Sequence, residues 1–191
     1  MKKTLIISLI IIVSSLFVLP ASAQTKQPPT APASSEKIKW LDFEQAVALN
    51  KKKPKKIFID TYTDWCGWCK KMDASTFINP VIVEYMNKNF YAVKFNAERK
   101  DTVNFNGKEY INPNPNSARS SHQLAIELLG GRMSFPSFVI LDEKMNKITI
   151  IPGYHKAPDF ESILHFFGEN VYLTDPVFSN FDATFKRTAV E

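Results

Sequence analysis

Trp65-Cys66-Gly67-Trp68-Cys69-Lys70 holds the only two cysteines of this 191-residue chain, three positions apart, shortly after the apolar run Ile57-Phe58-Ile59. The run reads as a buried strand, residues 60–64 as its exit, and the residues from Cys66 onward as a helix. Cys66 then stands at a helix N-terminus. Unpaired backbone N–H groups and the positive end of the helix dipole stabilise a thiolate there, lowering the thiol pKa from a free value of about 8.5 to roughly 3.5–7.5. Cys69 lies almost one turn further on, within reach of a mixed disulfide formed at Cys66. Attachment of a c-type haem needs histidine after the second cysteine, where this chain has Lys70. A structural zinc site would have to recruit His122, His155 and His165, which show no ligand spacing. Dithiol chemistry is therefore preferred to zinc and to a purely structural short-loop disulfide. No metal and no cofactor beyond the Cys66–Cys69 pair is expected.

Lys2 and Lys3 precede an apolar run over residues 5–19, and Ala21-Ser22-Ala23 supplies the small residues of a signal-peptidase site. The run is broken by Ser8, Ser14 and Ser15 and is short for a membrane span of about 20 residues. Residues 1–23 thus read as a cleaved secretory signal, and the product as periplasmic or secreted, in a compartment that permits disulfides. With no cysteine near the cleavage site, a lipoprotein anchor is not expected. Residues 24–37, rich in Pro, Ala, Ser and Thr, read as a flexible linker. The formal charge of +5 drops by two when Lys2 and Lys3 leave, an ordinary balance that argues for no nucleic-acid partner. The basic run Lys51-Lys52-Lys53-Pro54-Lys55-Lys56 reads as a solvated turn between a helix and a strand.

One domain is expected over residues 38–168, with an insertion at 98–116 and a tail at 169–191. Asp42 caps a helix with Phe43, Ala46, Val47 and Leu49 on one face and Gln45 in the capping-box place. A strand follows near residues 56–62. Asn79-Pro80 restarts a helix with Val81, Ile82, Tyr85 and Met86 inward, and residues 90–95 form the next strand. Residues 98–116 show no periodicity; their Pro, Asn and charged side chains suit a partner-selecting surface loop rather than a core. Ser117 or a neighbour caps a helix carrying Leu124, Ile126, Leu128 and Leu129 to a stop at Gly130-Gly131. Residues 136–142 and 147–151 read as an antiparallel hairpin, and Pro158 opens a final helix through Phe167.

This order of elements around a Cys pair resembles the thioredoxin family over about residues 38–168. Four further matches carry the resemblance: Asp60, six residues before Cys66, where the family has a buried acid; Lys94, like the family lysine beside that acid; Phe135-Pro136, like its cis-proline loop; and Gly153, at the family's glycine of close backbone approach. The stretch Asp-x-Tyr-x-Asp-Trp-Cys-Gly-Trp-Cys-Lys-Lys-Met is similar to exported thioredoxin-like proteins of bacterial envelopes, with Gly67-Trp68 in place of Gly-Pro. The resemblance implies an α/β, thioredoxin-like fold with a central mixed β-sheet flanked by helices. It also implies a monomeric thiol:disulfide oxidoreductase that reduces or isomerises envelope protein disulfides and is recharged by a membrane-linked electron donor. Cys66 attacks, Cys69 resolves and Asp60, helped by Lys94, is the base for Cys69. A cis Pro136 leaves the Phe135 backbone free to pair with an extended substrate, and Trp65, Gly67, Trp68 and Phe135 form the substrate rim, with Trp65 packed partly inward. The alternatives are a non-catalytic thioredoxin-like binding module and a disulfide oxidase.

Overall fold

Apolar residues at consecutive rather than alternate positions of Ile57-Phe58-Ile59 demand cover on both faces of the strand, and the fold supplies it. The computed structural model describes residues 36–191; the expected signal and nearly all of the linker lie outside the described residues. The elements in the first half are α1 (Phe43–Lys52), β1 (Lys56–Tyr62), α2 (Gly67–Ala74), α3 (Pro80–Asn89) and β2 (Phe90–Asn96). After them come β3 (Val103–Phe105), β4 (Lys108–Tyr110), α4 (Gln123–Leu128), β5 (Ser137–Leu141), β6 (Lys147–Pro152), α5 (Ala157–Gly168) and α6 (Phe178–Thr184). The central sheet has the order β2-β1-β5-β6 and is mixed: β1 runs parallel to β2 and antiparallel to β5, and β5 runs antiparallel to β6. In this register Asp60 faces Lys94 on one side and Phe138 on the other.

Alternation along the strands divides the core in two. On one face Phe58 and Phe138 stack with ring centroids 5.4 Å apart, under Phe77, Phe160, Ile82 and Met86. On the other, Ile57, Ile59, Phe95 and Val139 pack against Phe43 of α1 and Leu124 of α4. α1 starts as expected, with the Asp42 N–H donating to Gln45 Oε1 at 3.1 Å. Its inward face runs through Phe43, Ala46 and Asn50, while Leu49 is exposed, because positions three and seven after Phe43 share a face and position six does not. On α3, Ile82, Val83 and Met86 are buried, whereas Val81 and Tyr85 are half-buried. Of the basic run, Lys56 is not solvated: its stem is buried at the start of β1 and its Nζ reaches Glu143 Oε1 at 2.7 Å.

One expectation fails more broadly. Residues 98–116 are not merely a surface loop: β3 and β4 form a hairpin whose Val103, Phe105 and Tyr110 are buried against Phe43 and Leu124. Three-residue strands are too short to show a period, so three inward side chains read as scattered apolars in a polar stretch. The helix that follows is capped by His122, whose Nδ1 accepts from Leu124 N–H at 3.1 Å, and not by Ser117; Ile126 points outward. Residues 169–191, expected as a tail, carry further structure. α5 is followed by α6, and the chain then returns to α5, where buried Glu161 accepts from the backbone N–H groups of Thr188 and Ala189, both at 2.8 Å, and from Thr188 Oγ1 at 2.6 Å.

Candidate active site

The exit of β1 delivers Cys66 to the first turn of α2, where it is the N-cap residue and its Sγ accepts from the Cys69 backbone N–H at 3.0 Å. This is the donor that favours an anionic sulfur at such a position. Cys66 and Cys69 are joined as a disulfide with Cα atoms 5.3 Å apart, and only 4% and 3% of each residue is exposed. Their aromatic surround stands in water. Trp65 and Trp68 are 51% and 57% exposed, so Trp65 does not pack inward. It meets Phe135 edge-on at 6.0 Å, its Nε1–H donates to Glu98 Oε1 at 2.9 Å, and the Arg119 guanidinium lies over its ring at 5.0 Å. These polar partners, one at the ring edge and one over its face, favour a surface position. Trp68 sits beside Tyr154 with centroids 5.5 Å apart, and the Lys71 ammonium lies about 5 Å from both rings.

The Phe135–Pro136 bond is cis. Trp68, Phe135, Pro136, Gly153 and Tyr154 line a groove of about 350 Å³. Gly153 adopts φ +91° and its N–H donates to Pro136 O at 2.8 Å, while a Cβ there would meet nothing within 4 Å. The position therefore needs glycine for its backbone angle and not for close approach within this chain. Gly67 likewise faces open space.

A charged cluster connects α2 to the sheet through Lys94. Asp60, in the middle of β1, is fully buried, and its Oδ2 accepts from Lys94 Nζ at 2.6 Å. Its Oδ1 has no hydrogen-bond partner among the described residues, and neither has the buried Thr63 hydroxyl. Burial pushes the Asp60 pKa up to about 6, against the opposing pull of the Lys94 ammonium; the negative charge of Asp73 adds a smaller upward push. Lys94 pairs with both carboxylates, Asp60 and Asp73, and its ammonium is also ringed by Trp40, Tyr62 and Phe77 at 4.9–5.2 Å. The two carboxylates raise the Lys94 pKa against the effect of burial, so it stays charged at neutral pH.

The fold thus brings Trp65 and Trp68, which flank Cys66 and Gly67 at the start of α2, to Phe135 and Pro136 in the loop before β5, and separately joins Asp60 of β1 to Lys94 of β2, which also pairs with Asp73 of the Cys69 helix. Sequence reasoning missed Asp73, Tyr154, Glu98 and Arg119. Asp73 carried a signal: it follows Cys66 by seven residues and Cys69 by four, which puts all three on one side of α2. Tyr154 and Arg119 gave none, since only tertiary packing brings them to the tryptophans. Each histidine has its own partner: His122 caps α4, His155 approaches Pro152 O at 3.2 Å, and His165 pairs with Glu169 at 2.6 Å.

The profile of the thioredoxin-like domain matches residues 43–168. Among solved structures, the chain is similar to the oxidoreductase DsbH (16% identity, 78% of this chain and 96% of that one, TM-score 0.53). It is also similar to a thioredoxin-fold protein from Helicobacter pylori (17% identity, 68% and 83% of the two chains, TM-score 0.50). A thioredoxin from Thermus thermophilus is a third (15% identity, 69% and 88%, TM-score 0.51). No curated protein sequence matches it significantly. With its matched span, its mixed sheet and its Cys-x-x-Cys pair at a helix N-terminus, the chain belongs to the thioredoxin-like domain family.

Proposed function

We propose that this protein is an exported thiol:disulfide oxidoreductase that reduces or isomerises disulfides of envelope proteins. The observation that carries the reading is the Cys66 sulfur at the N-cap of α2, accepting a backbone N–H, beside the exposed aromatic side chains Trp65 and Trp68. In the reduced enzyme the Cys66 thiolate attacks one sulfur of a substrate disulfide. A Cys66–substrate disulfide forms, the substrate S–S bond breaks, and the departing sulfur takes a proton. Asp60 then accepts the proton of Cys69, whose thiolate attacks Cys66. The Cys66–Cys69 disulfide forms, the second substrate sulfur leaves, and two electrons have passed from enzyme to substrate. A dithiol donor must restore the reduced state.

Lys94 keeps Asp60 ionised for this step, and Pro136 and the aromatic rim present the substrate strand. The Lys2-Lys3 start, apolar run and Ala21-Ser22-Ala23 site support export, and a membrane-linked donor follows because an exported dithiol has no cytosolic reductant. DsbH, which shares the fold, is described as an oxidoreductase.

The test is covalent capture in the envelope. Cys69→Ser accumulates mixed disulfides with partner proteins and Cys66→Ser accumulates none. The reverse pattern overturns the assignment of roles, and a Cys66–Cys69 pair found wholly oxidised at steady state in cells points to disulfide formation instead.

A further inference from the structure

Beyond the groove at the dithiol the surface continues across Tyr154 into a second, larger cavity of about 460 Å³. Its walls include Thr76, Ile78, Pro80, Tyr154, Ala157 and Val190. Two of them are unusual for a water-facing surface: Ile78 is 65% and Val190 74% exposed. The far wall is built by the last residues of the chain, which lie outside the span matched by the family profile.

That wall is held firmly. The buried Glu161 carboxylate takes three hydrogen bonds from Thr188 and Ala189, and Ala189 is itself buried in the core. Asn79, whose Oδ1 caps α3, uses its Nδ2 to hold Val190 O at 2.8 Å. Glu191 pairs with Lys156 on the opposite rim. A buried carboxylate is costly unless its acceptors are filled, and here backbone N–H groups of the C-terminal segment fill them. The result is a fixed apolar recess that shares one side chain, Tyr154, with the groove over the redox pair.

We propose that this recess is a substrate subsite: it receives one large apolar side chain of the polypeptide whose disulfide lies at Cys66–Cys69, so that the C-terminal segment selects among substrates. The proposal rests on the oxidoreductase reading and specifies its substrate class. The occupant is a polypeptide because the recess is continuous with the dithiol groove, and a chain engaged at the sulfurs that crosses Tyr154 enters it. The occupant's side chain is apolar because Ile78, Val190, Ala157 and Pro80 offer it contact, and the two charged rim groups, Lys156 and Glu191, already neutralise each other. Burying one such side chain changes specificity by about tenfold or more.

The experiment uses the mature full-length protein, a set of oxidised two-cysteine peptides in which a single Leu is moved through the positions flanking one cysteine in a Ser background, and a small aryl disulfide that is too short to reach the recess. In the wild type, Leu at one or two positions raises kcat/KM by about tenfold over the all-Ser peptide. Ile78→Glu and deletion of residues 190–191 both abolish that advantage while leaving the aryl disulfide rate within about twofold. Ile78 is at the surface, and retention of the aryl disulfide rate certifies the fold. No advantage at any position in the wild type, or an advantage that survives both changes, overturns the subsite while the aryl disulfide rate keeps the oxidoreductase reading intact. A wild type inert toward both peptide and aryl disulfide overturns that reading and the subsite with it. Loss of self-association in Ile78→Glu with unchanged peptide kinetics assigns the recess to a second copy of the chain and likewise overturns it.

Discussion

Replacing Asp60 by Asn should make the protein more stable at neutral pH, by an amount the structure allows to be worked out. Asp60 is fully buried and its pKa rises from 3.8 to about 6, first because burial penalises the carboxylate and despite the attraction of Lys94. The folded state therefore holds the Asp60 proton to a higher pH than the unfolded chain does. Its contribution to stability is fully present below about pH 4 and is lost as pH rises through about 6. Roughly two pKa units at about 1.36 kcal/mol each make a penalty of about 3 kcal/mol above that window. Asp60→Asn removes the penalty while keeping shape and hydrogen-bonding capacity, and Lys94 retains Asp73 as a partner. Denaturant unfolding of the oxidised protein at pH 8 and at pH 4 measures it. The variant should gain up to about 3 kcal/mol at pH 8, or roughly 6–12 °C in Tm, and almost nothing at pH 4. A variant no more stable than wild type at pH 8, or a gain independent of pH, refutes the argument, because packing rather than ionisation would then govern the site. On the proposed mechanism, with Asp60 as the base for Cys69, the same variant should also slow resolution by Cys69, on the order of tenfold to a thousandfold.

Asp73→Asn should shift the pH dependence of Cys69 resolution to lower pH. Removing this negative charge, and leaving the Lys94 ammonium to Asp60 alone, lowers the Asp60 pKa; stopped-flow measurement of mixed-disulfide decay between pH 5 and pH 8 reads the midpoint, and Asp73→Glu should restore it. Phe105→Ala should destabilise the protein by about 3 kcal/mol, since Phe105 is buried edge-on against Phe43 at 5.1 Å; a change near zero in urea unfolding would make residues 98–116 a neutral insertion. Glu161→Gln, which turns an amide N–H toward donors that need an acceptor, should cost about 1–3 kcal/mol and speed hydrogen exchange at Thr188 and Ala189 ahead of the sheet.

Much of this site was legible before any folding. The consecutive apolars of β1 marked a doubly covered strand, the Cys spacing marked one turn of α2, and Asn79-Pro80 marked the start of α3; each is local chemistry written in neighbouring residues. Antiparallel pairing of β5 with β6 followed from the shortness of the link between them. What could not be read were contacts between segments far apart in the chain. Phe105 looks like one aromatic in a polar stretch until β3 folds onto Phe43. The spacing of Asp73 puts it on the cysteine side of α2, but only the packing of α2 against the sheet brings Lys94 to it, and the C-terminal residues show no partner until Glu161 takes their N–H groups. Periodicity and capping act within a few residues, so sequence determined the elements and the thiol chemistry. Burial and charge pairing act across the whole fold, so only the tertiary structure decided how deep Asp60 lies, which acid shares its lysine, and what stands around the redox pair.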